Sequence, residues 1–226
     1  VTTPPTLVLD LDGTLVDTAP DLVACLNMVL DEAGVPIVDG VAARAMIGRG
    51  ARMMIARGFA AHGVQLDDAG LDKLNARFLV HYEGRIADES RAFPGVADAL
   101  SRFSDAGFRL AVCTNKYERL SRLLLEKIEL ADRFAVIAGP ETFGVSKPHR
   151  DHILKTVVAA GGDPDDCVMV GDSRTDIEAA RASGVPVVAV TFGYTDIPVK
   201  ELSPDRLIDH YDDLWDAVAA IRSAAD

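Results

Sequence analysis

Leu7-Val8-Leu9-Asp10-Leu11-Asp12-Gly13-Thr14-Leu15 is the stretch that decides the fold. Its first three residues are apolar without alternation, the pattern of a parallel strand covered by helices on both faces. Asp10 and Asp12 then fall at the C-terminal end of that strand, the rim where open α/β sheets place their ligands. Being two apart, both carboxylates can point into one crevice with Leu11 buried between them. Gly13 lets the chain turn away, and Thr14 adds a hydroxyl and backbone donors. Like charges this close are costly unless a cation or a shared proton relieves them, and hard carboxylate oxygens suit Mg²⁺. Such a pair fits attack on phosphorus by one carboxylate and proton transfer by the other. Taken alone, the same residues also make a solvated turn.

Working outward, the second half of the chain alternates clearly. Strands are expected over 110–113, 134–138, 168–170 and 187–190, with a short last one at 207–208. Helices are expected over 96–106, 118–128, 152–160, 176–182 and 213–225, and Gly107, Gly161 and Gly184 close three of them. This order predicts an α/β fold, a doubly wound Rossmann-like parallel sheet. From Pro36 to about Glu89 no convincing strand occurs, and Phe93-Pro94-Gly95 marks the return to the main domain. Leu22, Cys25, Leu26, Val29 and Leu30 start a series of apolar residues at helical spacing. Residues 18–88 are therefore expected to form a helical insert, with 1–17 and 89–226 as the core domain. Pro20 and Asp39 are the expected hinge ends, and residues 139–146 an expected loop.

The 226 residues suffice for a core plus a smaller insert, and 49% of them are hydrophobic. No apolar run approaches membrane-spanning length, and Val1-Thr2-Thr3-Pro4-Pro5 lacks a basic segment followed by an apolar one. The expectation is a soluble, cytoplasmic protein. A formal net charge of −12 disfavours nucleic acid and anionic membrane as partners. It also means that an anionic substrate needs a metal and a few basic residues. Cys25, Cys113 and Cys167 are scattered and odd in number, which fits a reducing compartment and buried small hydrophobes. The five histidines show no zinc-ligand spacing.

Chemistry-bearing residues recur at strand ends. Thr114-Asn115-Lys116 follows one strand, and a hydroxyl with free N–H groups there suits a phosphate oxygen or, equally, a helix cap. Lys147-Pro148 follows the next loop; a lysine there can offset transition-state charge or simply be solvated. Gly171-Asp172-Ser173-Arg174-Thr175-Asp176 follows a third strand. Asp172 stands where a metal ligand belongs, and Asp176 either joins it or complements the helix N-terminus. All of these fall on one rim of one sheet, the arrangement of a phosphoryl-transfer site. In the insert, Gly48-Arg49-Gly50 is either a flexible loop whose guanidinium binds a substrate carboxylate or an ordinary turn between helices. Arg44, Arg52 and Arg57 are expected on solvated faces.

Asp10-Leu11-Asp12-Gly13-Thr14, Thr114-Asn115, Lys147-Pro148 and Gly171-Asp172-Ser173-Arg174-Thr175-Asp176 resemble, in order and spacing, the four motifs of the haloacid dehalogenase superfamily. The insert resembles that superfamily's small α-helical cap. Phe93-Pro94-Gly95-Val96, Thr114-Asn115-Lys116, Lys147-Pro148-His149 and Thr191-Phe192-Gly193-Tyr194 are most similar to its phosphoglycolate phosphatases. The resemblance implies a Mg²⁺-dependent phosphomonoesterase working through an aspartyl-phosphate, with 2-phosphoglycolate the first expected substrate. It implies Asp10 as nucleophile and metal ligand, and Asp12 as general acid/base with its carbonyl on the metal. Thr114 and Asn115 would hold the phosphoryl group and Lys147 would stabilise its charge. Asp172 would ligate Mg²⁺, with Asp176 supporting the metal directly or through water. Thr14 and Arg49 complete the expected substrate contacts. The expected partner is a small phosphorylated metabolite, met by a monomer or homodimer.

Ala138-Gly139-Pro140-Glu141 and Asp151 depart from the pattern of that subgroup. A sugar phosphomutase is the nearest rival, although Thr14 suits the phosphatases better. A haloacid dehalogenase would need no second acid at Asp12. A phosphonate hydrolase would need a cap lysine, for which Lys73 is the candidate. A non-catalytic acidic domain would tolerate loss of Asp10 or Lys147.

Overall fold

The computed structural model describes residues 3–224, so the ends of the expected core domain and of the expected last helix lie outside the described residues. In chain order, β1 (Thr6–Leu9) and β2 (Val16–Asp17) precede four helices: α1 (Ala19–Glu32), α2 (Gly40–Arg44), α3 (Ala51–Ala60) and α4 (Asp68–Gly84). Then come β3 (Arg91–Ala92), α5 (Val96–Asp105), β4 (Arg109–Cys113), α6 (Glu118–Lys127), β5 (Val136–Ala138) and α7 (Pro140–Phe143). The chain continues through α8 (Arg150–Ala159), β6 (Cys167–Gly171), α9 (Arg174–Ser183), β7 (Val187–Val190), β8 (Arg206–Ile208) and α10 (Leu214–Arg222).

Six strands form one parallel sheet in the order β5-β4-β1-β6-β7-β8. From β1 the chain steps outward to β4 and β5, then returns to the other side of β1 for β6, β7 and β8. The topological switch point therefore lies between β1 and β6, where an open α/β sheet leaves a crevice beyond its C-terminal edges. In register Leu9 faces Val112 on one side and Val170 on the other, so the chain leaves all three strands side by side. The period of two in a strand separates the core into two layers. Leu7 and Leu9 join the layer that includes α5, α10 and the inserted helices, whereas Val8 joins Ile153, Val157, Ile177 and Ala180 of α8 and α9.

Helices α1 to α4 fall between Ala19 and Gly84, and α1 buries Leu22, Cys25, Leu26, Val29 and Leu30 on one stripe. Three local expectations are corrected. A two-residue antiparallel pair, β2 with β3, closes the base of the insert where no strand was expected. Residues 139–146 are not all loop, because Pro140 starts a one-turn helix there, with Thr142 Oγ1 accepting from Gly139 N at 2.9 Å. Asp39 is not a hinge end: its side chain caps α2 inside the insert by accepting from Val41 N, and Pro20 lies in the first turn of α1. The two crossings lie instead at residues 17–18 and 89–91. They are tied together by the buried Asp21 carboxylate, which accepts from Glu89 N, Ser90 N at 2.8 Å and Ser90 Oγ at 2.7 Å.

No helix among the described residues is long and apolar enough to cross a membrane. Cys25, Cys113 and Cys167 are all free and buried. His152 of α8 is also fully buried, and neither ring nitrogen has a partner among the described residues. Burial, and behind it the charge of Lys147, pushes its pKa down to about 4. The folded state thus refuses a proton that the unfolded chain accepts below its ordinary value of 6.5. The stability gained from a neutral His152 is complete above about pH 6.5 and is lost as pH falls toward about 4, by roughly 3 kcal/mol. His152→Leu should show that much less acid-side loss in denaturant unfolding; equal losses in both proteins would contradict the assignment.

Candidate active site

The C-terminal ends of β1, β4 and β6 and the loop before α8 deliver Asp10, Thr114, Asp172 and Lys147 to the crevice at the switch point. Asp10, Asp172 and Asp176 are all buried, and each offers a carboxylate oxygen within 4.8 Å of the others. The Lys147 ammonium sits among them, 2.7 Å from Asp10 Oδ1 and 2.6 Å from Asp176 Oδ1. One ammonium against three carboxylates leaves two negative charges if all are ionised. Burial first, and then the neighbouring carboxylates, push Asp10 up to about 7 against the pull of Lys147. Asp172 is pushed well above its ordinary range by burial and by Asp176 and Asp10. Burial works against the charge on Lys147, but Asp10 and Asp176 hold its pKa above the usual lysine value. A cluster of hard oxygens with an excess of two charges suits a divalent cation.

The surroundings are shaped for this cluster. A Cβ at Gly13 would lie 2.3 Å from Asp172 Oδ2, and one at Gly193 would lie 2.2 Å from Asp172 Cβ. Both positions are closed to any side chain, which explains the glycines flanking the metal-ligating candidate. Thr14 Oγ1 donates to Asp172 Oδ1 at 3.2 Å, and Tyr194 N donates to Asp172 Oδ2. Asp176 Oδ2 accepts from Ser173 N at 2.9 Å, Ser173 Oγ at 2.6 Å and Asp172 N at 3.2 Å. That oxygen is committed to the start of α9, leaving Oδ1 as the one that faces Lys147. The two sequence readings of Asp176, helix start and site member, thus hold together.

Asp12 lies apart from the triad. Its Oδ1 accepts from Lys116 Nζ at 2.5 Å and from Thr18 Oγ1 at 2.7 Å. It lines a cavity of about 210 Å³ with Asp10, Thr114 and Lys116 on the core side, under a roof from the inserted helices that includes Arg49, Phe78 and Tyr82. Arg49 is exposed at the mouth and also borders a second cavity next to Lys147.

Two expected substrate contacts are placed differently. Thr14 is fully buried, and its hydroxyl serves Asp172 rather than the cavity. Asn115 borders the cavity, but its amide is engaged with backbone: it accepts from Lys147 N at 2.9 Å and donates to Lys147 O at 3.0 Å and to Gly48 O at 3.4 Å. It therefore locks the Lys147 loop to the end of β4. Arg44 is half-buried rather than solvated, paired with Asp17 at 3.4 Å and lying over the Tyr194 ring. Arg52 pairs with Asp68 at 2.6 Å and with Asp72. Lys73 is exposed on α4 and does not reach the cavity. Two further residues, Lys116 and Tyr194, take part in the site although neither stands out by its place in the sequence. Tyr194 joins the core to the insert, its hydroxyl donating to Asp17 and accepting from Ala19 N at 2.9 Å.

Comparison with known proteins agrees with this geometry. The family described as haloacid dehalogenase-like hydrolase matches residues 7–190. A phosphoglycolate phosphatase of Mesorhizobium japonicum is 49% identical over 210 residues, covering 93% of this chain and 92% of the relative. One of Agrobacterium fabrum is 48% identical over 207 residues, covering 92% and 89%. The crystal structure of a predicted phosphoglycolate phosphatase from Haemophilus somnus superposes with a TM-score of 0.87 at 27% identity, covering 96% of this chain and 98% of that one.

The Asn115 lock gives a direct test. Asn115→Ala leaves the buried Lys147 N–H without its acceptor, which should cost about 1–3 kcal/mol in denaturant unfolding. An unchanged midpoint would show that the lock contributes nothing.

Proposed function

We propose that this chain, which belongs to the haloacid dehalogenase-like hydrolases and is a phosphoric monoester hydrolase, acts on 2-phosphoglycolate, releasing glycolate and phosphate. The observation that carries the proposal is the pairing of two differently treated carboxylates. Asp10 lies in the triad beside Lys147, and Asp12 lies in the cavity beside Lys116. The first would serve as nucleophile and the second as acid/base. The substrate assignment draws on the relatives named phosphoglycolate phosphatase and on a cavity of about 210 Å³, small beside the roughly 300–1,000 Å³ typical of drug-sized ligands.

In the first half-reaction an Asp10 oxygen bonds to phosphorus as the ester P–O bond breaks, and Asp12 gives its proton to the leaving alkoxide oxygen. In the second, water attacks the same phosphorus, Asp12 takes a water proton, and the bond between Asp10 and phosphorus breaks to release phosphate. The Thr114 hydroxyl and the Lys147 ammonium hold the transferring group and offset its charge. Asn115 acts by holding Lys147 in place. Mg²⁺ fits the residues present: Asp10, Asp172 and the Asp12 carbonyl would hold it, with Asp176 assisting directly or through water. When bound, it supplies charge neutralisation on the phosphoryl oxygens. Arg49 adds positive charge at the mouth, where an anionic substrate enters an acidic protein. The three free thiols fit work in the cytoplasm.

Phosphate release from small phosphomonoesters, with and without Mg²⁺, checks the assignment. Fast Mg²⁺-dependent turnover of 2-phosphoglycolate is expected. Asp10→Asn should lower it by roughly 10³-fold or more and Lys147→Met by roughly 10²–10³-fold. Undiminished turnover in Asp10→Asn would rule out Asp10 as nucleophile.

A further inference from the structure

Among the described residues that line the cavity, Lys116 is the basic side chain that is both buried and directly against the acid/base. Its side chain is 6% exposed, and its ammonium lies 2.5 Å from Asp12 Oδ1. On its other side it lies 4.7 Å from the centroid of the Tyr82 ring, which α4 brings down from the insert. A lysine ammonium has three donors, and the hydrogen bond to Asp12 uses one. The other two cavity cations are placed differently: Arg49 is exposed at the mouth, and Arg52 is occupied by Asp68 and Asp72. Two roof residues, Asn75 and Tyr82, carry buried oxygens that have no partner among the described residues. The cavity is otherwise lined largely by apolar side chains such as Leu22, Met54 and Leu120, so Lys116 is the buried cation available to an anionic group that enters it.

We infer that Lys116 is the specificity-determining residue of this site, binding the carboxylate at the non-reacting end of a small phosphorylated hydroxy acid while it holds Asp12. The inference rests on the phosphomonoesterase assignment above. Asp12 protonates the leaving oxygen, so any group bonded to Asp12 stands beside the leaving group. In a 2-phospho-hydroxy acid the carboxylate carbon is two bonds from that oxygen. An ammonium shared between Asp12 and the cavity therefore meets a carboxylate there and finds nothing to bind in a neutral leaving group. The Lys116 side chain is itself almost wholly buried, which strengthens the contact. Tyr82 meets the ammonium through its ring face, so the contact of the inserted helices with the core and the reading of the carboxylate depend on one side chain.

The test compares 2-phosphoglycolate with ethylene glycol monophosphate, which replaces the carboxylate with a neutral hydroxymethyl group. The wild type should prefer the carboxylate ester, and glycolate should inhibit competitively where ethylene glycol does not. In Lys116→Met the ratio of kcat/KM values should fall by roughly 10- to 100-fold, chiefly through KM for 2-phosphoglycolate. Lys116→Arg should recover part of that ratio. Arg49→Ala should lower turnover of both esters together and leave the ratio alone. A wild type that hydrolyses both esters equally, or a ratio unchanged in Lys116→Met, overturns the inference while leaving the phosphatase assignment standing. If Lys116→Met does not fold, Lys116→Gln carries the same comparison, with the same fall in the ratio expected. A wild type that hydrolyses neither ester overturns the phosphatase assignment itself, and this inference with it.

Discussion

Repulsion among Asp10, Asp172 and Asp176 is the constraint around which the rest of the structure is arranged. Three carboxylates out of water and within reach of one another are unstable unless their charge is answered. Lys147 answers part of it. The rest of the local architecture holds the oxygens in place without adding charge. Gly13 and Gly193 leave room for Asp172, and Gly171 leaves room for Asp176, whose Cβ a Gly171 side chain would meet at 2.4 Å. Thr14, Tyr194 N and Ser173 supply the donors. The switch point of the sheet is what makes this possible, because only there do β1 and β6 end side by side with their connections running apart.

A second set of contacts separates Asp12 from that cluster and links it to the insert. Asp12 accepts from Thr18, at the crossing into α1, and from Lys116, which lies under Tyr82. Asp21 binds the outgoing crossing at Ser90, and Tyr194 binds the incoming one at Asp17 and Ala19. The acid/base candidate is thus positioned by the same residues that join core to roof, whereas the nucleophile candidate is positioned by the sheet. Two carboxylates two residues apart are held by different parts of the fold, which is what allows them different roles.

The sheet was legible in the sequence because its strands are buried on both faces and read as continuous apolar runs, Leu7-Val8-Leu9 and Val168-Met169-Val170 among them. The rim residues were legible because each follows such a run. What was not legible depends on contacts between distant segments. β2 and β3 are two residues each, too short for any periodicity, and exist because the crossings meet. Asp39 looked like a hinge end, but a capping residue inside an insert has the same local chemistry as one at its border. Asn115 looked free to meet substrate because nothing in a sequence shows that Lys147 backbone, 32 residues on, claims its amide. Thr14 was expected to meet substrate, yet its partner Asp172 is 158 residues away. Lys116 read as one more polar residue after a strand, and its importance comes entirely from what lies 2.5 Å beyond its ammonium.

The buried cluster holds more carboxylate than Lys147 alone answers, and a divalent cation would relieve the excess. Burial and the neighbouring carboxylates push Asp10 and Asp172 toward the neutral acid, so ionising them in the folded protein works against folding unless a cation is bound. The most direct measurement is the melting temperature of wild type and Asp172→Asn, each in chelator and in Mg²⁺. Mg²⁺ should raise the wild-type Tm saturably and leave Asp172→Asn unmoved, and in chelator the variant should melt at or above the wild type. A wild type indifferent to Mg²⁺, with Asp172→Asn melting well below it in chelator, would contradict the account.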